Sequence, residues 1–244
     1  MAYFHSQALV LRHADYREND RVLSLLTPQR GRVEVLCRGC RKPGSPLMAA
    51  SQRFAWGDYV LYKGKGREIV TGCAMKDSFY PLRQDYDRLS YAAILLAAAD
   101  AAAQPEQPQE HLLILLTRSL HRLAYSDVDP RSVTAAFLLH FASLQGYKPR
   151  LNHCALCARI MEDQEDGWLH SQAGGLLCRD CYQGQQDAQR LDGRQIIWLR
   201  QVLQQGIDKT GPAVTQAPLL PLKRYVENIL ERRLPRLPET VPPL

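Results

Sequence analysis

The 244-residue sequence has none of the short motifs that build nucleotide or catalytic sites: no GxxxxGK[ST] loop, no GxGxxG fingerprint, no HExxH and no GxSxG. The first two supply backbone amides that cradle phosphates, the third sets two imidazoles and a base on a metal, and the fourth holds a strained nucleophile. Without them, chemistry on a substrate is unsupported and we expect no enzyme. The remaining titratable groups do not change this. The histidines do not pair at catalytic spacings, and His140, in "AAFLLHFASL", lies on an apolar helix face and reads as a core histidine with its polar atoms satisfied. Carboxylates are scattered, and the acidic "MEDQEDG" reads as a solvated loop tip.

No segment approaches the ~18 uncharged apolar residues needed to cross a bilayer. The opening "MAYFHSQALVLRHADYREND" has no basic stretch followed by an apolar one. We therefore expect a folded cytoplasmic protein, whose 45% hydrophobic residues suffice for one large domain or two to three small ones. That compartment keeps thiols reduced, and seven cysteines cannot all pair, so metal binding or thiol chemistry is expected rather than a disulfide framework.

Four of the seven lie in "CALCARIMEDQEDGWLHSQAGGLLCRDC" as two CxxC pairs, Cys154 with Cys157 and Cys178 with Cys181, separated by 20 residues. Zinc favours soft thiolates at the corners of a tetrahedron, and this spacing fits the C-x2-C-x15–20-C-x2-C pattern. Gly174 and Gly175 supply a tight backbone before the second pair. Four thiolates leave no open position for water, so one structural Zn2+ is expected, with no catalytic use. His153 or His170 could replace a thiol as ligand, but four sulfurs in register already complete the shell. A redox CxxC would call for a single pair in a βαβ setting. A third CxxC, Cys37 and Cys40 in "CRGC", has no second pair, and reads as small residues near a strand end.

From Ser6 to Tyr80, five short runs rich in β-branched and aromatic residues are divided by turn signals: "SQALVLRHA", "DRVLSLLT", "GRVEVLCRG", "DYVLYKGKG" and "EIVTGCAMKDSFY". Five strands in so short a stretch suit a closed barrel of the OB type better than a sandwich. Beyond Tyr80 the apolar period becomes helical in "QDYDRLSYAAILLAAADAAAQ", "EHLLILLTRSLHRLAYSD" and "PRSVTAAFLLHFASLQGY", with Asp129 as an N-cap before Pro130 and Gly146 as a helix end. Two further helices, "DGRQIIWLRQVLQQG" and "PLKRYVENILERRL", the second opened by Pro221, precede the proline-rich "PRLPETVPPL", expected to be poorly ordered. The expected fold is a multidomain α+β protein: an OB-fold β-barrel over residues 1–80, then an all-α helical domain over 81–147 and 185–244, carrying a four-cysteine zinc-finger insert at 148–184.

The net charge of +6 is unevenly placed: residues 1–80 hold 13 Lys and Arg against 7 Asp and Glu, and the rest of the chain is neutral. A basic barrel on a neutral remainder suits a polyanion. Arg30 and Arg32 flank Gly31, Arg38, Arg41 and Lys42 cluster in "CRGCRKPGSP", and Lys63, Lys65 and Arg67 follow Tyr62 in "LYKGKGREI". These eight are the candidate DNA contacts. Tyr16, Phe54, Trp56, Tyr59 and Tyr62 are candidate stacking residues, although barrel aromatics more often face the core.

A basic barrel, a helical region and a four-cysteine insert, in this order, resemble the bacterial RecO family of DNA repair and recombination mediators over nearly the whole chain. The residues that carry the resemblance are "ALVLRHADYRENDRVLSLLTPQRGRVEVLCRGCRKPGS", "GYKPRLNHCALC" and "GGLLCRDC"; the "CRGC" is a departure from the small or charged residues expected there. The resemblance implies a non-enzymatic bacterial protein that works at the nucleoid. Such a protein binds single- and double-stranded DNA and anneals complementary strands. It contacts RecR through the barrel and also contacts the C-terminal tail of SSB, and it is linked in function to RecA and RecF. An SSB tail is acidic with an apolar end, which calls for a hydrophobic groove beside arginines. Ile114, Leu115, Arg118 and Arg122 on one helix face, with Arg131 at the start of the next helix, are the candidates.

Two other classes stay open on the residues alone. A zinc-stapled scaffold could bind an acidic protein partner through the basic barrel. A zinc-dependent hydrolase would need an open metal position, which four thiolates deny.

Overall fold

Five strands rich in apolar and β-branched residues close the first part of the chain into a barrel. The structure, a computed structural model, describes residues 2–209 and 217–238. Strands β1 (Ala2–Tyr16), β2 (Asp20–Thr27), β3 (Gly31–Cys37), β4 (Trp56–Lys63) and β5 (Glu68–Asp77) form a closed barrel in the order β1-β2-β3-β5-β4. Only β3 and β5 run parallel; the other neighbours are antiparallel. This is the five-stranded OB topology that five strands in 80 residues suggested. Strand β1 is longer than its apolar run because it serves two neighbours. Its first half pairs with β4, from Ala2 with Lys63 to Leu9 with Trp56, and its second half with β2, from Leu9 with Leu26 to Tyr16 with Asp20, across an irregularity at Val10 and Arg12.

The inward row fills the barrel with Ala8, Val10, Leu23, Leu25, Val33, Val35, Tyr59, Leu61 and Val70. The opposite face of β1 and β2 is not surrendered to water: Leu9, Leu11 and Leu26 join one continuous core with the helices. The barrel and the helical region therefore share apolar surface. The β2–β3 turn is held against the loop after the first helix, where Arg32 N donates to Gln104 O at 3.2 Å, Glu106 N to Arg30 O at 2.9 Å and Gln109 N to Pro28 O at 2.7 Å. Gly31, at φ +59°, is required there, because a Cβ would lie 2.2 Å from the Gln104 carbonyl oxygen.

The helices are α1 (Tyr86–Ala102), α2 (Glu110–Tyr125), α3 (Pro130–Leu144), α4 (Gly193–Gln205) and α5 (Leu219–Leu230). Polar caps start three of them: Asp85 accepts from Arg88 N, Asp129 from Arg131 N, and Asp192 exchanges bonds with Gln195 in a capping box. Helix α3 is the central one, with an almost wholly buried surface, and it ends where Tyr147 N reaches back to Ala142 O at 2.8 Å past Gly146. Helix α5 differs from the sequence reading at both ends. It begins at Leu219, with Pro221 inside its first turn, and stops at Leu230 because Glu231 takes a left-handed conformation, φ +50°. The segment beyond is partly held: Leu234 is buried and Leu237 packs on the core, while residues 239–244, the end of the proline-rich stretch, lie outside the described residues.

The cysteine insert and the residues just after it form a three-stranded sheet that apolar periodicity did not reveal, in the order β7 (Gly175–Leu177), β6 (Gly167–His170), β8 (Gln189–Leu191), the last strand lying beyond residue 184 in a stretch expected to be helical. Its strands are three or four residues long, too short for a period to register. Leu169, Leu176 and Leu191 nevertheless reach the main core, which welds the insert to the helices.

Candidate metal centre and nucleic-acid interface

The two CxxC turns converge. The Sγ atoms of Cys154, Cys157, Cys178 and Cys181 all lie within 4.8 Å of one another. Sulfurs bound to one zinc at ~2.3 Å would sit about 3.8 Å apart along each tetrahedral edge, and Cys157 Sγ to Cys178 Sγ is 3.8 Å. Cys154 N is fixed by Arg159 O at 2.8 Å, and Ala155 N by Leu176 O at 2.7 Å, so the first turn is anchored to β7. Cys178 N donates to Cys154 Sγ at 3.4 Å, tying the second turn to the first. Burial works against ionising Cys154, but backbone amides of Cys157, Cys178 and Leu156 outweigh it and bring the thiol down to about 6. Hydrogen bonding with the thiols of Cys157 and Cys178 pushes Cys181 up to about 12. Four sulfurs this close, with amides aimed at them, form a donor set that fits a thiolate-bound metal ion. Neither neighbouring histidine belongs to the cluster; His170 is turned away and donates from Nε2 to Asp187 Oδ1 at 2.8 Å.

Cys37 and Cys40 are fully buried in the barrel. Gly39 between them has φ +62° and donates its N–H to Asp20 Oδ1 at 2.8 Å. Burial pushes the Cys37 thiol up, well away from the thiolate form that reacts. "CRGC" is thus a turn packed against core.

The eight basic candidates are not brought to one place. Arg38, Arg41 and Lys42 project from the loop after β3 and are all exposed. This loop is shaped by successive turns, Lys42 N to Gly39 O, Ser45 N to Lys42 O and Met48 N to Ser45 O, and is held to the β1–β2 turn by Arg41 N to Asn19 O at 3.1 Å. Arg41 also meets Asp15 at 3.5 Å. Lys63, Lys65 and Arg67 lie at the other end of the strands, on the β4–β5 turn. Among the described residues, neither Lys65 nor Arg67 has an ion-pair partner, whereas Lys63 is 3.8 Å from Glu68.

Arg30 and Arg32 are placed differently from the expectation. Arg30 is bound to Glu68 and Glu106, and Arg32 donates to the Asp100 backbone oxygen at 3.2 Å with its carboxylate 3.9 Å away. Both cations are committed to the seam between barrel and helices. The physical reason is the close docking of the β2–β3 turn, which sequence spacing does not reveal.

The aromatic candidates divide the same way. Phe54 and Tyr59 are buried, Tyr59 Oη donating to Ala50 O at 2.7 Å, and Trp56 packs on the core. Tyr16 and Tyr62 keep exposed ring surface. An aromatic that sequence reasoning missed, Tyr3, stands beside Tyr62 with ring centroids 5.2 Å apart. The signal was available in "AYF" had β1 been extended to its start.

Of the five residues expected for a peptide tail, Ile114 is exposed and Leu115 buried. Arg118 pairs with Asp208, and Arg122 donates to the Ile207 carbonyl. Arg131 is separate. Its Nε donates to Tyr91 Oη at 3.1 Å, and it lines a cavity of about 300 Å³ with Tyr91, Leu219, Leu220 and Leu237. His140 corrects another reading: its Nε2 is buried without a hydrogen-bond partner.

The family models described as Recombination protein O N terminal and Recombination protein O C terminal match residues 1–79 and 83–240. A DNA repair protein RecO of Moorella thermoacetica is 35% identical over 178 residues, covering 73% of this chain and 66% of that protein. One from Desulfitobacterium hafniense is 33% identical, covering 86% and 77%. One from Desulforamulus reducens is 26% identical, covering 96% and 92%.

Proposed function

The chain belongs to the RecO family, and from that premise we propose that it is a non-enzymatic mediator of DNA repair and recombination. In this reading it binds single- and double-stranded DNA, anneals complementary strands and, with RecR, helps load RecA onto SSB-coated single strands. The observation that carries the reading is the basic OB barrel, whose exposed cations lie on two loops: Arg38, Lys42 and Arg41, the last partly engaged by Asp15, on one, and Lys65 and Arg67 on the other. Annealing requires two polyanions to approach. Cations on mobile side chains lower that repulsion and release counterions without any acid, base or nucleophile.

The metal of the four-cysteine site is proposed to be zinc in a structural role. Cys154, Cys157, Cys178 and Cys181 would hold it, and bound zinc supplies a cross-link between the two turns and no chemistry on a substrate. The contact with the SSB tail is proposed at Arg131, where a cation stands beside an apolar wall formed by Leu219, Leu220 and Leu237. RecR would meet the barrel, with RecF acting in the same process.

The test is fluorescence anisotropy of a labelled single-stranded oligonucleotide at low and moderate salt, followed by addition of its complement. Salt-dependent binding with accelerated annealing is expected. Absence of binding at low salt would overturn the reading and point to an acidic protein as the partner of the barrel.

A further inference from the structure

The outer face of the barrel carries a row of apolar side chains that neither core uses. Strand register sets Tyr3 of β1 opposite Tyr62 of β4, Tyr62 opposite Ile69 of β5, and Ile69 opposite Leu36 of β3. Directly paired residues point to the same side of a sheet, so the four side chains form one stripe across four strands. Inward residues alternate with them: Leu61, Val70 and Val35 are buried in the barrel. Tyr62, Ile69 and Leu36 are half-buried, and Tyr3 is 65% exposed. A contiguous exposed apolar stripe, rather than any single open ring, is what marks a surface for a partner.

The stripe is framed by cations. Beside its middle, the β4–β5 turn that joins the strands of Tyr62 and Ile69 presents Lys65 and Arg67 without ion-pair partners among the described residues. Leu36, at the β3 end, is two residues from Arg38 and the basic loop. The acidic groups on this face are already engaged: Glu34 accepts from Arg12 at 2.8 Å, and Asp58 pairs with Lys76 at 3.2 Å. The turn is built close to the ring, since a Cβ on Gly64 would stand 3.2 Å from the Tyr62 ring.

We propose that Tyr3, Tyr62, Ile69 and Leu36 form a base-stacking strip for single-stranded DNA, with Lys65 and Arg67 beside its middle and Arg38 beside its β3 end holding the phosphates. The occupant follows from the chemistry. Flat apolar rings bordered by unpaired cations match unpaired bases on a polyanionic backbone, and a duplex offers no base face to such a surface. The inference rests on the DNA-binding reading and adds to it a single-strand site and the residues that make it. It gives annealing a geometry, in which a strand lies with its bases against the strip until a complement lifts them off.

The experiment uses the full chain and three probes of equal length at low salt: oligo-dT, an oligonucleotide abasic over its centre, and a duplex. The double variant Tyr3→Ala/Tyr62→Ala should lose at least about tenfold in affinity for oligo-dT, with the abasic strand and the duplex unaffected, and Tyr3→Phe/Tyr62→Phe should bind as the original. Equal losses on all three probes, or no loss on oligo-dT, would overturn the strip and leave the DNA-binding reading standing. Failure of the unaltered protein to bind oligo-dT would overturn both. If the alanine pair does not fold, photocrosslinking of the unaltered protein to a 5-iodouracil strand decides. Crosslinks at Tyr3 or Tyr62 support the proposal, and crosslinks confined elsewhere overturn it.

Discussion

Arg30 meets Glu68 with two parallel hydrogen bonds, Nη1 to Oε2 and Nη2 to Oε1, each 2.9 Å. The Glu68 carboxylate is almost out of water, and Nη2 of the same guanidinium reaches Glu106 at 2.9 Å. One cation therefore joins β5 to the β2–β3 turn and to the loop after α1. Replacing it by methionine would leave Glu68 buried with only Lys63, 3.8 Å away, for compensation. Removing one partner of such a pair costs more than the pair contributes, here about 2–4 kcal/mol, which for a chain of this size lowers the melting temperature by roughly 5–15 °C. Arg30→Met should show that shift in a thermal melt while single-strand affinity, measured well below the melt, stays within about twofold. A large loss of affinity with an unchanged melt would return Arg30 to the DNA surface.

The fold was legible where the chain repeats itself. "DRVLSLLT", an apolar run bounded by turn signals, became β2 without a residue's difference, and Asp129-Pro130 marked the start of α3 because capping is a local event. The four thiols were legible for the same reason, since a CxxC turn is written in four residues. What could not be read was decided by docking. Nothing in "TPQRGRVEV" says that Arg30 will find Glu68, 38 residues on, or that Phe54 will turn inward while Tyr62 stays out. The Tyr3–Tyr62 pair was hidden likewise, because it depends on β1 extending past its apolar run to reach β4.

The metal site couples to the main core through the strands around it. Elemental analysis should find one zinc per chain. Cys154→Ala should lower that content and destabilise the insert, since a structural zinc contributes on the order of 10 kcal/mol to holding its turns together. Because Leu169, Leu176 and Leu191 belong to the helical core, the damage should extend to α3 and α5 and be visible as increased hydrogen exchange there. A metal-free preparation that melts normally would contradict the assignment.

Neutralising Arg38, Arg41 and Lys42 to glutamine should weaken DNA binding for every sequence tested. Each phosphate contact on a single strand contributes ~0.7 to the slope of log affinity against log salt. Arg41 is partly engaged by Asp15, whose carboxyl is held below its usual range by Arg21 and, to a smaller extent, by Arg41. The slope should therefore become shallower by about 1.5–2. A parallel line displaced to weaker affinity would mean that these residues act through the shape of the loop.

A peptide of acidic residues with an apolar end should distinguish the arginines of the helical region. Arg118 is tied to Asp208 at an exposed position, where such a pair contributes ~0–1 kcal/mol, so Arg118→Ala should change peptide affinity by less than about twofold. Arg131 lies in the cavity with Leu219, Leu220 and Leu237. Loss of a charge-assisted hydrogen bond there, ~1.5–3 kcal/mol, should weaken the peptide by about tenfold or more. The reverse order of effects would move the peptide to the α2 face.

Stability should depend on acid through two imidazoles. Burial lowers the pKa of His140, with Lys148 acting the same way and a hydrogen bond to the Val202 backbone opposing; burial, then Arg21, lowers that of His13. Each has a ring nitrogen out of water with no hydrogen-bond partner. Below about pH 6.5 the unfolded chain takes up protons on these residues that the folded chain takes up only at lower pH. Unfolding is then favoured by acid, so their contribution is complete above that pH and declines as pH falls. Thermal melts from pH 7.5 to 5 should show a decreasing midpoint, and His140→Gln, which keeps a donor for Val202 but has no ring to charge, should flatten part of the decline. If the variant and the original fall in parallel, His140 does not carry the acid sensitivity, and His13 beside Arg21 and Arg53 becomes the residue to replace.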